Sequence, residues 1–465
     1  MKAKEESPIR LDARQRVILL LLLGAGFMLS VDFSILNVAL PEAGAGVGLG
    51  TAQLAWIVSA YALPAAGLTL LSGRLADLFG RRKLFLAGMA LLAAASLLGG
   101  FANTPEVLLT ARVLQGVASA MTIPASLSLI TTTFAEGRVR ERALGLNGAL
   151  LSAGFTVGAL VGGMLVSLLS WRAAFFINVP VAIVIGLLAI GLIKESRTPD
   201  RVKLDVPGAV TVTLGLLAVI YAVIERNLLV GVVGAGLLVA FWAIERRTAQ
   251  PLVPIRILRR PSIRWGNVAA LTIFALEPAM IFLATLYMQT VLELSALVTG
   301  LVFGIPGLVA VFAGPIAGRL IGRIGVRTVL FAGMLVQGLA ILPMVFVGAS
   351  RWSLVLVAVG LFVSFFGHVS AIVSSTVTAT SGLPNEEQGL ATGLSSMTQQ
   401  VGITVGIPIL AAVAAMFAPG LTGIRFALAV VVVVTVLGAL AVRRGLRDRA
   451  NVPASVPEAA LEPAA

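Results

Sequence analysis

Residues 73–82, GRLADLFGRR, come back as GRLIGRIGVR at residues 318–327. Gly73, Arg74, Leu75, Gly80 and Arg82 match Gly318, Arg319, Leu320, Gly325 and Arg327 in register. Further on, GFTVG at 154–158 resembles GITVG at 402–406 with nearly the same separation. Two matches that keep nearly one offset indicate an internal duplication. Both copies of the longer motif follow the second hydrophobic run of a six-run half, so the halves repeat in parallel orientation. Two such halves meeting at a central cavity is a plan of many secondary transporters.

The hydrophobic runs come from composition. The chain has 465 residues, 58% of them hydrophobic and 12% charged, with a mean hydropathy of +1.02. Those values exclude a soluble globular domain. Runs of about twenty apolar residues, each long enough to cross roughly 30 Å of hydrocarbon as helix, can be marked at 17–40, 51–72, 84–103, 106–133, 143–168, 173–193, 206–224, 228–246, 264–290, 296–317, 328–348, 352–380, 390–417 and 423–442. The expected fold is therefore an all-α integral membrane protein of fourteen spans. It comprises a cytoplasmic segment (1–16), an N-terminal six-helix bundle (17–193), a linker with two extra transmembrane helices (194–263), a C-terminal six-helix bundle (264–442) and a tail (443–465). From Ala450 onward the sequence ANVPASVPEAALEPAA has no apolar periodicity and is expected to be disordered. The first run lacks a small-residue cleavage site and reads as a retained span.

A net charge of +13 would suggest nucleic acid in a soluble protein, but its placement decides otherwise. With the N-terminus inside, every Lys and Arg apart from Arg112, Arg172, Arg226, Arg351 and Arg425 falls in a cytoplasmic segment. This asymmetry places both termini in the cytoplasm and implies a multi-pass protein of the cell inner membrane, with no nucleic-acid partner. Arginine in preference to lysine, with abundant Ala, Gly and Val, is the usage of a GC-rich bacterium. With no cysteine and one histidine, no thiolate or His-cluster metal site is expected.

At this point the chain resembles the major facilitator superfamily, in its fourteen-span drug/proton antiporter branch, from about residue 15 to 445. VDFSILNVALP (31–41) is similar to that branch's first-helix signature, GRLADLFGRRK (73–83) to the superfamily's loop motif, and RVLQG (112–116) to its fourth-helix motif. SWRAAFFINVP (170–180) is close to what the branch carries at the entrance of its sixth helix. The resemblance implies a proton-driven exporter without cofactor, working by alternating access. It also implies that Gly73, Asp77, Gly80, Arg81 and Arg82 lock the two halves in one state, and that Gly145, Gly154, Gly158, Gly162 and Gly163 form the antiporter glycine motif. Ala159 stands where the family usually has proline. Gly322 replaces the loop acid in the second copy, so only the N-terminal half can make the Asp77 contact.

An ionised group facing lipid costs about 2.5–3.5 kcal/mol on insertion scales, so Asp32 is expected to face protein or water. Away from the span ends, Arg112 is the one basic residue inside a span, which makes an Asp32–Arg112 pair the economical reading, either as a switch or as a permanent strut. Ser30, Ser34 and Asn37 form a stripe about 160° away from Asp32; Asp32 is assigned to the cavity and the stripe to helix packing. Glu277, followed by Pro278 in the ninth span, is a second proton site or a protonated acid bonded to a neighbour. Pro278 removes a helical hydrogen bond and frees a carbonyl beside the acid. Asp32, Arg112 and Glu277 are thus the candidates for proton coupling.

Tyr61, Gln115, Gln289, His368 and Gln399 are candidates for the substrate cavity, with His368 equally readable as a packing residue. Few acids are buried, so a hydrophobic or singly cationic compound fits best, with protons and the bilayer as the other partners and a monomer as the expected state. An exporter of one endogenous metabolite, antibiotic or lipid is the alternative, and a membrane-embedded enzyme or sensor a remote one. The extra hairpin, turning at Glu225–Arg226–Asn227, is open to reading as a dimer contact, a brace or a side gate.

Overall fold

In this computed structural model, residues 12–446 are described apart from 51–52, 135–137, 197–204, 249–250, 252–254, 381–384 and 418–419. The expected disorder after Ala450 lies outside the described residues. The first half comprises α1 (Ala13–Val47), α2 (Ala55–Phe79), α3 (Arg81–Gly100), α4 (Pro105–Thr133), α5 (Arg138–Leu168), α6 (Ala173–Phe176) and α7 (Asn178–Leu192). Then come α8 (Val206–Ile224), α9 (Leu228–Glu245) and the short α10 (Ile255–Leu258). The second half runs through α11 (Pro261–Leu286), α12 (Ala296–Ile324), α13 (Val326–Leu339), α14 (Ser353–Thr380), α15 (Asn385–Ala414) and α16 (Leu421–Gly445). No strand occurs among the described residues.

Among the described residues, 12 helices are long and apolar enough to cross a membrane, or 13 if α2, bent by 54° between Thr69 and Leu71, is taken as one span. The expected fourteen is not reached, because the described apolar part of α5, Ala153–Leu168, is shorter than a full span. Large apolar side chains point outward along these helices, among them Leu187, Leu229, Val232 and Leu308. Such a surface is stable only against lipid.

Local chemistry fixes the helix ends. Asp12 and Gln15 form a reciprocal capping box at the start of α1, and Gly48, with φ of 82°, closes its end. The duplication read in the sequence is physical. Gly80 (φ 112°) separates α2 from α3, and Gly325 (φ 83°) separates α12 from α13 at the matching position. Two residues further on, Arg82 donates to the carbonyl of Ile190 near the end of α7. Its counterpart Arg327 donates to the carbonyl of Arg443 near the end of α16 (3.1 Å).

Close glycine packing repeats as well. A Cβ at Gly154 would lie 2.7 Å from the carbonyl of Phe27 and one at Gly158 2.7 Å from that of Val31, so α5 lies on α1. Gly402 and Gly406 likewise set α15 on α11, against Leu271 and Ala275.

α8 and α9 sit outside this symmetry. Gly208, Val212, Gly215, Leu216 and Ile220 form the buried stripe of α8. Val212, Leu216 and Ile220 share a core with Leu63 of α2 and Leu394 and Met397 of α15. α8 therefore covers a line along which the two halves meet. α9 fully buries Gly234 and Glu245, lays Leu238 and Phe241 against the same core, and turns Leu228, Leu229, Val232 and Val239 outward.

Candidate functional site

Asp32 of α1 is fully buried, and the polar groups around it come from four other helices of the N-terminal half. Arg112 Nη1 of α4 lies 3.3 Å from its Oδ2, and Gln115 Nε2, one turn further along α4, donates to its Oδ1 at 3.0 Å. Asn178, the first residue of α7, donates to the same oxygen. Ser96 of α3 accepts from Gln115 (3.0 Å) and Asn178 (3.3 Å). Arg112 is held in turn by Gln115 Oε1 (2.7 Å), by the carbonyl of Ile57 on α2 (3.1 Å), and by the ring of Tyr61, 4.4 Å from its guanidinium carbon.

Three-residue spacing on one helix is what brings Arg112 and Gln115 to the same carboxylate. The expected Asp32–Arg112 pair is present. Asp32 does not face an open cavity, however: it is sealed inside the N-terminal bundle, because donors from α4 and α7 close over it. Two of the three stripe residues pack as expected, since Ser30 and Ser34 donate to the carbonyls of Leu151 and Phe155 on α5, whereas Asn37 Nδ2 donates to the Phe33 carbonyl of its own helix at 3.1 Å.

The second acid, Glu277, is also buried, and α11 runs on through Pro278. Gln337 Nε2 of α13 donates to its Oε2 at 3.2 Å. From α14, Ser364 Oγ lies 3.5 Å and His368 Nδ1 4.0 Å from the same oxygen. His368 is flanked by the rings of Phe274 and Phe365, each with its centroid 5.6 Å away. Asp32 and Glu277 are separated by the same stretch of sequence as Gly73 and Gly318. They are therefore counterparts, each on the first helix of its half and each met by a partner from the fourth, Arg112 and Gln115 for Asp32 and Ser364 and His368 for Glu277.

The remaining cavity candidates scatter. Tyr61 and Gln115 belong to the Asp32 cluster, His368 to the Glu277 cluster, and Gln399 is half-buried on α15. Gln289 bridges the halves, its Nε2 donating to the carbonyl of Val38 at 2.9 Å. Near it, the Leu297 N–H donates to Ser167 Oγ (3.0 Å), and Thr404 Oγ1 lies 3.0 Å from the carbonyl of Ala62. All three contacts join one half to the other in the half of the bundle remote from the arginine-rich loops. At that same end the turn of the α8–α9 hairpin touches both halves. Glu225 Oε1 accepts from Trp56 Nε1 at 3.0 Å, and Arg226 Nη2 donates to the carbonyl of Ala415 at 2.7 Å.

The loop motif spans the end of α2 and the start of α3. A Cβ at Gly73 would find Pro124 at an ordinary 3.8 Å, so no close approach requires that glycine. Arg81 bonds Asp77 within the N-terminal half, through Nε at 3.1 Å and Nη2 at 2.8 Å. Glu195, unremarked in the sequence, accepts from the backbone of Arg82 (3.1 Å) and Lys83 (3.2 Å) and so caps α3.

The glycine row also divides. Gly154, Gly158 and Gly162 face α1 within one half, and only Gly163 meets α12, where a Cβ would lie 2.7 Å from the carbonyl of Ala296. The packing of Gly145 lies outside the described residues. From the other side, Gly300 of α12 approaches the carbonyl of Ala159 (2.5 Å). Glycine contacts between the halves are thus drawn largely from α12, where Gly304 and Gly307 also press on Leu160 and Thr156 of α5.

A family model described as Major Facilitator Superfamily matches residues 22–407. The cephamycin export protein CmcT of Amycolatopsis lactamdurans is 35% identical over 90% of this chain and 91% of its own length. The multidrug resistance protein Stp of Mycobacterium tuberculosis is 32% identical over 86% of this chain and 76% of its own. Among solved structures, a POT family transporter in complex with a thioalcohol-conjugated peptide superposes with a TM-score of 0.72 over 92% of this chain and 96% of its own, at 14% identity. At that identity the likeness concerns the fold.

Proposed function

The chain belongs to the major facilitator superfamily, and on that premise we propose that it exports hydrophobic or singly cationic small molecules in exchange for protons. It is a membrane transporter and not an enzyme. The observation that carries the export reading is similarity along nearly the whole chain to proteins named for antibiotic export and multidrug resistance.

Exchange with protons is supported by a carboxylate that can be reached only through the protein. Asp32 has one cationic partner, Arg112, and a shift of α1 against α4 within the N-terminal half during the cycle would trade the guanidinium for a proton. One proton moving inward down 100 mV supplies about 2.3 kcal/mol. In this reading α5 and the bent α2 each count as a span, giving fourteen, with both termini and the arginine-rich loops in the cytoplasm. The sealed end is then the outer one.

The assay is a proteoliposome with an imposed inward proton gradient and a cationic dye. Dye movement should follow the gradient and be lost in Asp32→Asn at equal expression. Undiminished coupling in that variant would return Asp32 to a structural role. The cephamycin exporter's name favours a second reading, one endogenous product as sole substrate. A panel in which only one chemical class moves would select it.

A further inference from the structure

We infer that Glu277, Gln337 and His368 form a second proton-binding centre, in the C-terminal half, which holds its proton in the sealed state while Asp32 stays paired with Arg112. The argument is a count of donors. Asp32 receives hydrogen bonds from Arg112, Gln115 and Asn178, so an added proton there would displace a donor. Glu277 Oε2 has one well-placed donor, Gln337 Nε2 at 3.2 Å. The hydroxyl hydrogen of Ser364 is better placed on the carbonyl of Gln337, at 3.1 Å against 3.5 Å. Meanwhile Glu277 Oε1, Gln337 Oε1 and His368 Nδ1 are all buried without a hydrogen-bond partner, in residues at most 6% exposed. Several unpartnered buried polar atoms on neighbouring side chains call for an explanation.

A single proton supplies it. A protonated Glu277 becomes a donor for Gln337 Oε1 or for His368 Nδ1. In either case one proton from water is bound, none of the existing hydrogen bonds breaks, and the centre carries no uncompensated charge. A bare carboxylate with one neutral donor is costly at this depth. Among the described residues, His368 is the one titratable or charged side chain facing Glu277; α13 contributes the Gln337 amide, and α14 adds Ser364.

The exchange reading gives this proton its use in transport, but its binding is a property of the free protein and is tested as such. Infrared difference spectra of the purified full-length protein between acid and alkaline pH should show the carbonyl band of a buried carboxylic acid. The band should vanish in Glu277→Gln, persist in Asp32→Asn, and change frequency in Glu277→Asp, which serves if the Gln variant does not fold. His368→Asn should move the midpoint of the band's titration by about one pH unit or more. A band that survives Glu277→Gln, ignores Glu277→Asp, disappears with Asp32→Asn, or responds to sodium at fixed pH would overturn the proposal. Export without proton movement, with the band intact and lost in Glu277→Gln, would sink the exchange reading alone.

Discussion

Asp32 and Arg112 stand 3.3 Å apart with neither side chain more than 1% exposed. Breaking such a pair from one side leaves a buried charge uncompensated, at a cost of about 3–5 kcal/mol. Arg112→Gln strands Asp32 on two amides, and Asp32→Asn strands Arg112 on Gln115, the Ile57 carbonyl and the Tyr61 ring. Each should lower the thermal unfolding midpoint in detergent well below that of the parent. The double variant should recover much of the loss, since no charge is then left alone. Additive losses would mean that the two are not coupled.

The seal between the halves makes a second prediction. Replacing Gln289 and Ser167 by Ala removes two cross-half hydrogen bonds, each contributing about 0.5–1.5 kcal/mol net. The equilibrium should move away from the sealed arrangement by roughly one order of magnitude. The chain has no native cysteine, so spin labels at Glu42→Cys and Glu293→Cys, exposed positions flanking this seal, report it directly. Their distance distribution should gain a longer component in the double alanine variant.

How far the sequence discloses this site depends on the kind of residue. Apolar runs and arginine asymmetry mark the helices, because lipid tolerates little else. The Asp32–Arg112 pair is legible because one cation away from the span ends leaves the acid one choice. Asp32 and Glu277 were also legible as counterparts, by carrying the Gly73–Gly318 spacing over to the acids. Ser96, Asn178, Gln337 and Ser364 were not. Neutral polar side chains serve everywhere in such bundles as interhelical bonds, and only the fold says which acid they meet. The glycine row is legible as close packing, but periodicity alone could not choose between α1 and α12 as its neighbour.

Arg226 holds a backbone φ of 54° at the hairpin turn while donating to Ala415 of the other half. Glycine adopts that backbone without strain, so Arg226→Gly should leave the hairpin folded and remove only the tether. Trp56→Phe removes the matching bond to Glu225. Both variants should lengthen the distance between the labels at positions 42 and 293, in the same direction as the double alanine variant at Gln289 and Ser167. An unchanged distribution in both would reduce the hairpin to a lipid-facing brace.

The last prediction separates packing inside a half from packing between halves. At Gly158 a Cβ would lie 2.7 Å from the Val31 carbonyl and 2.8 Å from the Ser34 Cβ, with backbone on one side and a bonded serine on the other. Neither can move without parting α5 from α1, and overpacking of this kind costs about 1–3 kcal/mol. Gly158→Val should therefore lower the unfolding midpoint. Gly163 presses on Ala296 and Leu297 of α12, across a contact that a rocking cycle must break and remake. Gly163→Val should alter the label distances at positions 42 and 293 more than it alters the unfolding midpoint. The opposite ranking, with Gly163→Val the less stable protein and its distances unchanged, would show that α5 and α12 stay packed as one rigid body throughout the cycle.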